Sequence, residues 1–304
     1  MSQSEDPMTG TISTSKNDTA ALRSLAWIEA RRFARHPIFI VGVVLAYGLL
    51  IVQIVSAPGG DTAMNPEGNG VQAAFFLGCF GLLVADRLTR SAFRSREVAV
   101  ASPITATTQV KALALACLVP FTAGVLYTVV RMVALALAAD EWSAGALGLT
   151  EQTWIVFGGA AVTALGGALL GVLCGVWLRF PGASALVLIL AVAWVLVATA
   201  DMTSPGGATH GLLDWVRLSS PLSGWTDCVN ADCTTAYQMS GSAWLHVLYQ
   251  FGLCGLAVVA SLWKVADVAE RTRYLRVGLV VAAVTVVLLG ASVYGGRPVD
   301  TPLF

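Results

Sequence analysis

The stretch SREVAVASPITATTQVKALALA, residues 95–116, changes from charged to apolar at Lys111 and separates two long hydrophobic runs. It belongs to a chain of 304 residues in which 56% are hydrophobic and only 12% are charged. A soluble domain of this length would carry about twice that share of charged residues. Because lipid solvates apolar side chains directly, this composition predicts an integral membrane protein.

Seven apolar runs are long enough, or nearly so, to cross about 30 Å of hydrocarbon as helices. The second run is the weakest, because its clean apolar part ends at Ala85. We therefore predict an all-α integral membrane protein with about six to seven transmembrane helices. The runs are roughly 38–57, 71–88, 112–138, 154–178, 182–200, 243–263 and 275–294.

The basic residues are distributed unevenly among the segments between these runs, and this asymmetry predicts the orientation of the chain. The segments assigned to the outside are rich in acidic residues, and Arg217 and Arg297 are the only basic residues in them. The N-terminus is therefore predicted to be cytoplasmic and the C-terminus external. The residues assigned to the cytoplasmic side are Lys16, Arg23, Arg31, Arg32, Arg35, Arg87, Arg90, Arg94, Arg96, Lys111, Arg179, Lys264, Arg271, Arg273 and Arg276.

The same pattern predicts how the chain is divided. The polar N-terminus lacks the bulky residues needed to bury surface, so we expect it to be disordered. The predicted units are a disordered cytoplasmic tail 1–20, an interfacial helix 21–37, a six-span core 38–263 with a cytoplasmic loop 86–110 and an external loop 201–242, and a segment 264–304 that contains a cytoplasmic link, the seventh span and a short external tail.

The loop 86–110 has two interpretations. It is a flank that fixes topology through its positive charge, or it also contains a short surface helix on which another protein docks. Ser102-Pro103 favours a helix that stops and restarts, because proline fits the first turn of a helix but not its interior. Thr105 or Thr107 is then expected to cap the third span.

The order of these segments, together with ASPITATTQVKALALA at 101–116, resembles the permease subunits of type-2 ATP-binding-cassette (ABC) exporters. Glu97, Ser102-Pro103 and Lys111 match the Glu, the Ser/Thr-Pro and the Lys of that family's loop, whereas Arg94 and Ser95 replace its usual Gly-Thr. The resemblance implies an exporter subunit of the plasma membrane that pairs as a homodimer or heterodimer. It also implies that this loop contacts a separate ATPase. The residues that would carry this coupling are Arg87, Arg90, Arg94, Glu97, Ser102 and Pro103.

The absence of certain motifs agrees with an exporter subunit that depends on a separate ATPase. No Gly-x-x-x-x-Gly-Lys-Ser/Thr occurs, so we expect the chain not to be an enzyme itself and the partner ATPase to bind ATP and magnesium. No metal-binding motif is present, and no nucleic-acid partner is predicted. Two alternatives remain, namely a polytopic scaffold protein without transport activity and an ion-coupled transporter. Carboxylates are nearly absent from the spans, which argues against the transporter.

Two polar residues within the spans are candidates for the substrate path. Arg131 lies inside the third run and Gln53 inside the first. Charges within a membrane are functional candidates, although an arginine near the interface can also snorkel outward or pair internally. Apolar walls favour an amphipathic or lipid-like substrate.

Four further patterns yield structural predictions. Gly159, Gly167, Gly171 and Gly175 lie on one stripe that would let another helix approach closely. Cys228 and Cys233, on the predicted external side, are expected to form a disulfide, with two free thiols as the alternative. GLLDWVRL at 211–218 favours a short helix that dips into the outer interface over a passive loop. One face of the interfacial helix is apolar and consists of Leu22, Leu25, Ala26 and Phe33, with Glu29 interrupting it. This helix either lies on the inner leaflet or is a plain basic segment beside the membrane.

Overall fold

The computed structural model describes residues 14–56, 66–98, 105–137, 149–178, 180, 182–199, 212–221, 226–228, 235–238, 241–295 and 299–302. Almost all of them are helical, which confirms the predicted all-α fold class. The helices are α1 Thr14–Ala34, α2 Pro37–Ser56, α3 Pro66–Val98, α4 Ala106–Ala116, α5 Leu118–Leu137, α6 Leu149–Phe157, α7 Thr163–Trp177, α8 Ala183–Thr199, α9 Leu212–Ser219, α10 Ala243–Val265 and α11 Val268–Tyr294. A π-helix, Gly158–Val162, joins α6 to α7.

The protein is embedded in a membrane and crosses it several times. Five stretches of the described chain are helical, long and apolar enough to span a bilayer, and α8 is a shorter apolar helix. The outward faces of these helices carry large apolar side chains such as Val55, Leu126 and Val287, as expected of surfaces that contact lipid. The five stretches are Pro37–Val55, Ala106–Ala134, Thr150–Trp177, Ala243–Val265 and Val268–Tyr294. The count of seven spans stays a prediction.

Helix α3 continues far beyond the end of its apolar run. The predicted loop 86–110 is corrected accordingly, because residues 86–98 are the end of α3 and residues 106–110 belong to α4. The charged residues after Ala85 end the hydrophobic pattern, but they do not end the helix. Arg, Leu and Ala are strong helix formers, and no Gly or Pro occurs between residues 82 and 102.

The third span consists of two helices. Thr105 caps α4, as predicted, because its side-chain oxygen accepts a hydrogen bond from the backbone N–H of Thr108 at 3.2 Å. The chain turns at Cys117 before α5 begins. Pro120, in the first turn of α5, has no N–H and could not lie inside a longer uninterrupted helix without breaking its hydrogen bonding. Proline thus explains the division of this span.

The N-terminal helix α1 starts earlier than predicted. Residues 14–20, assigned from the sequence to a disordered tail, form its first two turns, and residues 1–13 lie outside the described part of the chain. Once a helix has nucleated, adding a residue of moderate propensity is nearly neutral in free energy. Tertiary packing supplies the nucleus here, because α1 packs against α4 and its Phe33 is buried beside Phe39, with ring centroids 5.1 Å apart.

The core of the molecule lies where α3 packs against α7, and α2, α5 and α10 surround this pair. Its largest cluster of buried apolar residues includes Val84, Leu88, Val172 and Val176. Since α3 contacts helices on several sides, it is the central helix of the bundle. We call the end of the bundle where α3 ends and α4 begins the basic end. The end of α7 lies there too, because Arg90 of α3 donates to the carbonyl of Leu178 at 3.0 Å. The end of α10 is beside it, since the ammonium of Lys264 is 4.8 Å from the ring centroid of Trp177.

At the opposite end, three short antiparallel strands connect distant parts of the chain. They are β1 Thr226–Cys228, β2 Thr235–Gln238 and β3 Val299–Pro302, in the order β1-β2-β3. Strand β3 follows α11, whereas β1 and β2 precede α10. The backbone N–H of Ser242 also donates to the carbonyl of Ser292 at 3.0 Å. The segment before α10 and the tail after α11 therefore lie at the same end of the molecule.

Candidate functional site

The exposed part of the basic end is the first candidate site, because two of the predicted coupling residues, Arg87 and Arg94, are exposed there. Arg87 and Arg94 are exposed on the last turns of α3, seven residues apart and therefore on one side of the helix. Glu97 belongs to the final turn of the same helix, where only the backbone is described. Ser102 and Pro103 lie outside the described residues. The structure thus places two arginines of the predicted set on one accessible helical surface.

Arg90 has a different role from its neighbours on α3. Its Nε donates to both carboxylate oxygens of Asp86, at 2.8 and 3.0 Å. Its two terminal nitrogens donate to the carbonyls of Phe180, at 2.8 Å, and Leu178, at 3.0 Å. These carbonyls follow the end of α7, where backbone acceptors lack helical partners. Arg90 is therefore a clamp between α3 and the α7–α8 turn, and its guanidinium is occupied within the chain.

The clamp matters for the geometry of the turn that it holds. The chain reverses between α7 and α8 within a few residues, and Gly182 adopts a positive φ of 90° that other residues rarely tolerate. Asp86 is buried, so its carboxylate needs the hydrogen bonds that Arg90 supplies. The sequence pointed to Arg90 as a basic residue but contained no sign of these long-range partners.

His36 lies between α1 and α2 and faces the same part of α3. Its Nδ1 accepts a hydrogen bond from the backbone N–H of Ile38 at 3.3 Å. Burial, and after it the nearby positive charge of Arg87, lower the pKa of His36 from its ordinary value. His36 is therefore neutral at pH 7, as its role as an acceptor requires.

The second candidate site is the buried polar group between α2 and α5. Arg131, proposed from the sequence for the substrate path, is only 1% exposed and therefore does not snorkel to the lipid surface. It lies one turn beyond Tyr127, with which it interacts electrostatically. Tyr127 packs against Leu50 of α2, and its ring is 5.8 Å from that of Tyr47. Gln53 is partly buried one turn further along α2.

The predicted glycine stripe lies along the contact between α7 and α3. A Cβ built on Gly167 would collide with the backbone of Gly78, and one on Gly171 would collide with the carbonyl of Leu82. A Cβ on Gly175 would be 2.6 Å from the Cβ of Thr89. Gly159 lies apart from these three, in the π-helix, where its carbonyl accepts a hydrogen bond from the hydroxyl of Thr163. Three of the four glycines thus bring two helices of the same chain into close contact.

A row of polar side chains on α10 holds the end of α9. The Nε2 of His246 lies 3.1 and 3.2 Å from the carbonyls of Leu218 and Ser220, so this nitrogen carries the proton that it donates. Tyr249 donates to the carbonyl of Ser219 at 2.8 Å, and Gln250 donates to that of Pro221 at 2.6 Å. The three side chains lie at i, i+3 and i+4, a spacing that could have revealed a shared polar face.

These contacts explain why Leu212–Ser219 forms a packed helix rather than a passive loop. Leu218 of α9 is fully buried, and Trp215 packs beside Gly290 of α11. The carbonyls at the end of α9 would be left without helical partners, and α10 supplies donors to them. Gln250 also reaches the π-helix, since its Oε1 lies 2.8 Å from the position that a Cβ of Gly158 would occupy. The polar side chains of α10 thus connect α9 with the fourth span.

The cysteine prediction falls partly outside the described chain. Cys228 is in β1, where only the backbone is described, and Cys233 lies outside the described residues, so the disulfide stays a prediction. Four cysteines within the spans carry free thiols: Cys79, Cys117, Cys174 and Cys254. In the part of the chain that the structure describes, no group of three or more His, Cys, Asp and Glu residues is arranged to hold a metal ion.

A central helix carries exposed charges at one end, and an internal clamp fixes it to the neighbouring turn. The buried site between α2 and α5 places one positive charge where an anionic or polar group could be neutralised. No protein family, no curated protein and no solved structure matches the chain.

Proposed function

We propose that the chain is the permease subunit of an ATP-binding-cassette exporter of type 2 and that a separate ATPase subunit drives it. The observation that carries this proposal is the course of α3. One unbroken helix extends from the close contact with α7 to the exposed side chains of Arg87 and Arg94. A partner that pushes on this end therefore acts directly on the centre of the bundle.

Force applied to α3 would reach several helices at once. The Arg90 clamp fixes α3 to the turn between α7 and α8, and the glycine contacts leave no soft side-chain layer between α3 and α7. Closely packed helices move as rigid bodies rather than deforming continuously. ATP-driven closure of the partner would thus tilt α3 and α7 together and alternate access to the interior.

The substrate path that we infer runs beside α2 and α5, where Arg131 and Gln53 lie. A charge within the hydrocarbon layer is energetically unfavourable and commonly marks a path for substrate. The surrounding side chains, such as Leu50 and Tyr127, are apolar or aromatic. This combination favours an amphipathic or lipid-like substrate that is exported across the plasma membrane. Pairing of two permease subunits and binding of ATP and magnesium by the ATPase belong to the same proposal.

The test exchanges the charges at the exposed end of α3. In the Arg94→Glu, Glu97→Arg double variant the net charge is unchanged, so insertion should follow the same topology. Like charges that face each other across a docked surface disfavour association far more than the loss of one solvated charge does. We expect copurification of the ATPase to fall by at least about tenfold, which corresponds to about 1.4 kcal/mol of binding free energy. ATP hydrolysis by the reconstituted complex should fall in parallel.

The matched control is the same exchange at another exposed site of the basic end. Glu270 and Arg273 in the first turns of α11 are also three residues apart and exposed. The Glu270→Arg, Arg273→Glu variant should retain its ATPase and its rate of ATP hydrolysis. If the α3 variant binds and exports like the wild type, the end of α3 is only a topology flank, and the exporter proposal loses its main support. Equal losses in both variants would indicate a general charge effect.

A further inference from the structure

The apolar face of α1 packs against protein rather than lipid. The sequence places Glu29 in the middle of that face, where it would be unfavourable against a bilayer. In the structure Glu29 is 5% exposed, and its carboxylate oxygens accept hydrogen bonds from Arg32 at 3.0 and 3.2 Å. Phe33, on the same face, joins the main buried cluster beside Val110 and Leu113 of α4. The face expected to meet the membrane is therefore already covered.

The opposite face of α1 is basic and contains two exposed apolar residues. Arg23, Trp27 and Arg31 recur every four residues and are all exposed. Trp27 is 65% exposed and the neighbouring Ile28 is 53% exposed. The guanidinium carbon of Arg31 lies 5.9 Å from the centroid of the Trp27 ring, within the range of a cation–π contact. We call these four residues, Arg23, Trp27, Ile28 and Arg31, the Trp27 face.

The Trp27 face lies close to the level at which the chain enters the membrane. Helix α1 ends at Ala34, and the first span begins at Pro37. Trp27 lies seven positions before Ala34, a rise of only about 10 Å along a helix. Moreover, α1 packs against α4, which forms the start of the candidate span Ala106–Ala134. The helix that follows α1 in the chain and the helix on which it packs most extensively are therefore both segments that pass into the hydrocarbon.

The chemistry of this face matches the interfacial layer of a bilayer. Tryptophan and arginine are suited to the headgroup region, since an apolar body can enter the acyl boundary while the polar group stays at the phosphates. The charged side chains described on the exposed surface of α1 are all arginines, and its one described carboxylate, Glu29, is buried and paired. Arginine binds phosphate oxygens through its planar set of donors.

We propose that the Trp27 face binds the headgroups of anionic phospholipids and thereby holds α1 against the membrane. Arg23 and Arg31 contact the lipid phosphates, while the Trp27 ring and Ile28 enter the boundary of the acyl chains. This site is independent of the exporter proposal, because its ligand is the bilayer itself and its contacts require no ATPase. A protein that docks on the same face is the competing occupant.

The first experiment measures lipid dependence in the full-length protein. The purified chain is placed in nanodiscs of phosphatidylcholine alone, or of equal parts phosphatidylcholine and phosphatidylglycerol, and the thermal unfolding midpoint is compared. The wild type should unfold at a higher temperature with phosphatidylglycerol. The attraction of a basic side chain to an anionic surface falls off within a Debye length, so the residues in direct contact with the phosphates contribute most. The Arg23→Gln, Arg31→Gln variant should therefore lose about half of the shift or more. Salt at about 1 M should diminish the shift, because the Debye length falls to about 3 Å.

The matched control removes two exposed arginines from the same end of the molecule. Arg273→Gln with Arg276→Gln changes the net charge equally, and these residues lie at the start of α11. This variant should retain most of the lipid-dependent shift. An equal loss in both variants would mean that any basic residue near the membrane suffices, which overturns the assigned site. The absence of a shift in the wild type overturns it as well.

The second experiment identifies the occupant directly. A photoreactive benzoylphenylalanine replaces Trp27 in cells, and its crosslinked products are analysed by mass spectrometry. The proposal expects adducts to phospholipid at position 27, and fewer of them when Arg23 and Arg31 are both replaced by Gln. Crosslinks to another protein in place of lipid would overturn the proposal and assign the face to a partner.

Discussion

At the scale of single residues, the functional meaning of a basic side chain depends on what surrounds it. Arg87, Arg90 and Arg94 lie within seven positions of one helix and are equivalent as far as the sequence is concerned. In the fold, Arg90 turns inward to Asp86 and two carbonyls, whereas Arg87 and Arg94 stay exposed. Only the exposed pair can contribute directly to binding a partner.

The Arg90 clamp yields a prediction about stability. Arg90→Ala leaves the buried carboxylate of Asp86 without its partner and removes the donors to the α7–α8 turn. Breaking a buried ion pair from one side should lower the free energy of unfolding by about 3 kcal/mol. Lysine restores a charge but not the planar set of donors, so Arg90→Lys should recover only part of the loss. The thermal unfolding midpoint of the purified variants in nanodiscs measures this effect.

Arg94→Ala is the control for that measurement. Arg94 lies one turn further along α3 and is exposed, and a surface substitution of this kind changes stability by about 0.5 kcal/mol or less. Similar midpoints for the Arg90→Ala and Arg94→Ala variants would show that the clamp contributes nothing to the fold.

At the scale of helices, α3 and α7 pack closely because glycines leave no side chain between their backbones. Gly167 and Gly171 bring the two backbones into contact, and dispersion forces are strongest at such short separations. The sequence revealed the stripe but could not say which helix it meets, or whether that helix belongs to the same chain. The packing of one particular pair of helices answers both questions.

Replacing Gly167 by alanine should therefore be strongly destabilising. The added methyl group would collide with the backbone of Gly78, which cannot move aside like a flexible side chain. We expect a loss of about 3 kcal/mol or more, at the upper end of the usual range for overpacking. Gly48→Ala is the matched control, because no atom lies within 4 Å of the added Cβ. Alanine there should be neutral or stabilise the helix by up to about 1 kcal/mol. The two variants are compared by thermal unfolding, and a neutral Gly167→Ala would refute the close contact.

At the scale of the whole molecule, strands β1 to β3 bear on topology. Because β2 and β3 pair, the segment before α10 and the tail after α11 must lie on the same side of the membrane. Helix α11 must then cross back from the basic end. The fold thus supports a crossing by α11 in addition to the predicted six-span core.

Reporter fusions test this arrangement. A reporter after Phe304 and one inserted near residue 230 should score alike and external, whereas reporters near residues 20 and 100 should score cytoplasmic. The positive-inside rule supplies the orientation, and the pairing of β2 with β3 supplies the relation between the two external sites. A cytoplasmic signal at Phe304 together with an external signal near residue 230 would contradict both the strand pairing and the crossing by α11.

The features that the sequence determined by itself are those with a local cause. Long apolar runs must be helical in lipid, because each backbone N–H and C=O needs a partner there. The membrane class, the helical fold class and the Thr105 cap were therefore predictable. So was the presence of a short helix in the external loop, which the structure places at Leu212–Ser219. The glycine stripe was visible for the same reason, since its spacing is a property of one helix.

Tertiary structure alone decided what depends on residues far apart in the chain. The hydrophobic pattern ended the second run at about residue 88, but the helix continues to Val98, because the pattern records polarity and not backbone geometry. The sequence could not distinguish Arg90 from Arg87, since the two carbonyls that Arg90 binds lie about ninety residues away. Likewise, the covered face of α1 looked like its membrane face until α4 was seen to occupy it. The composition and the periodicity of apolar residues indicate which surfaces must be covered, whereas only tertiary packing determines what covers them.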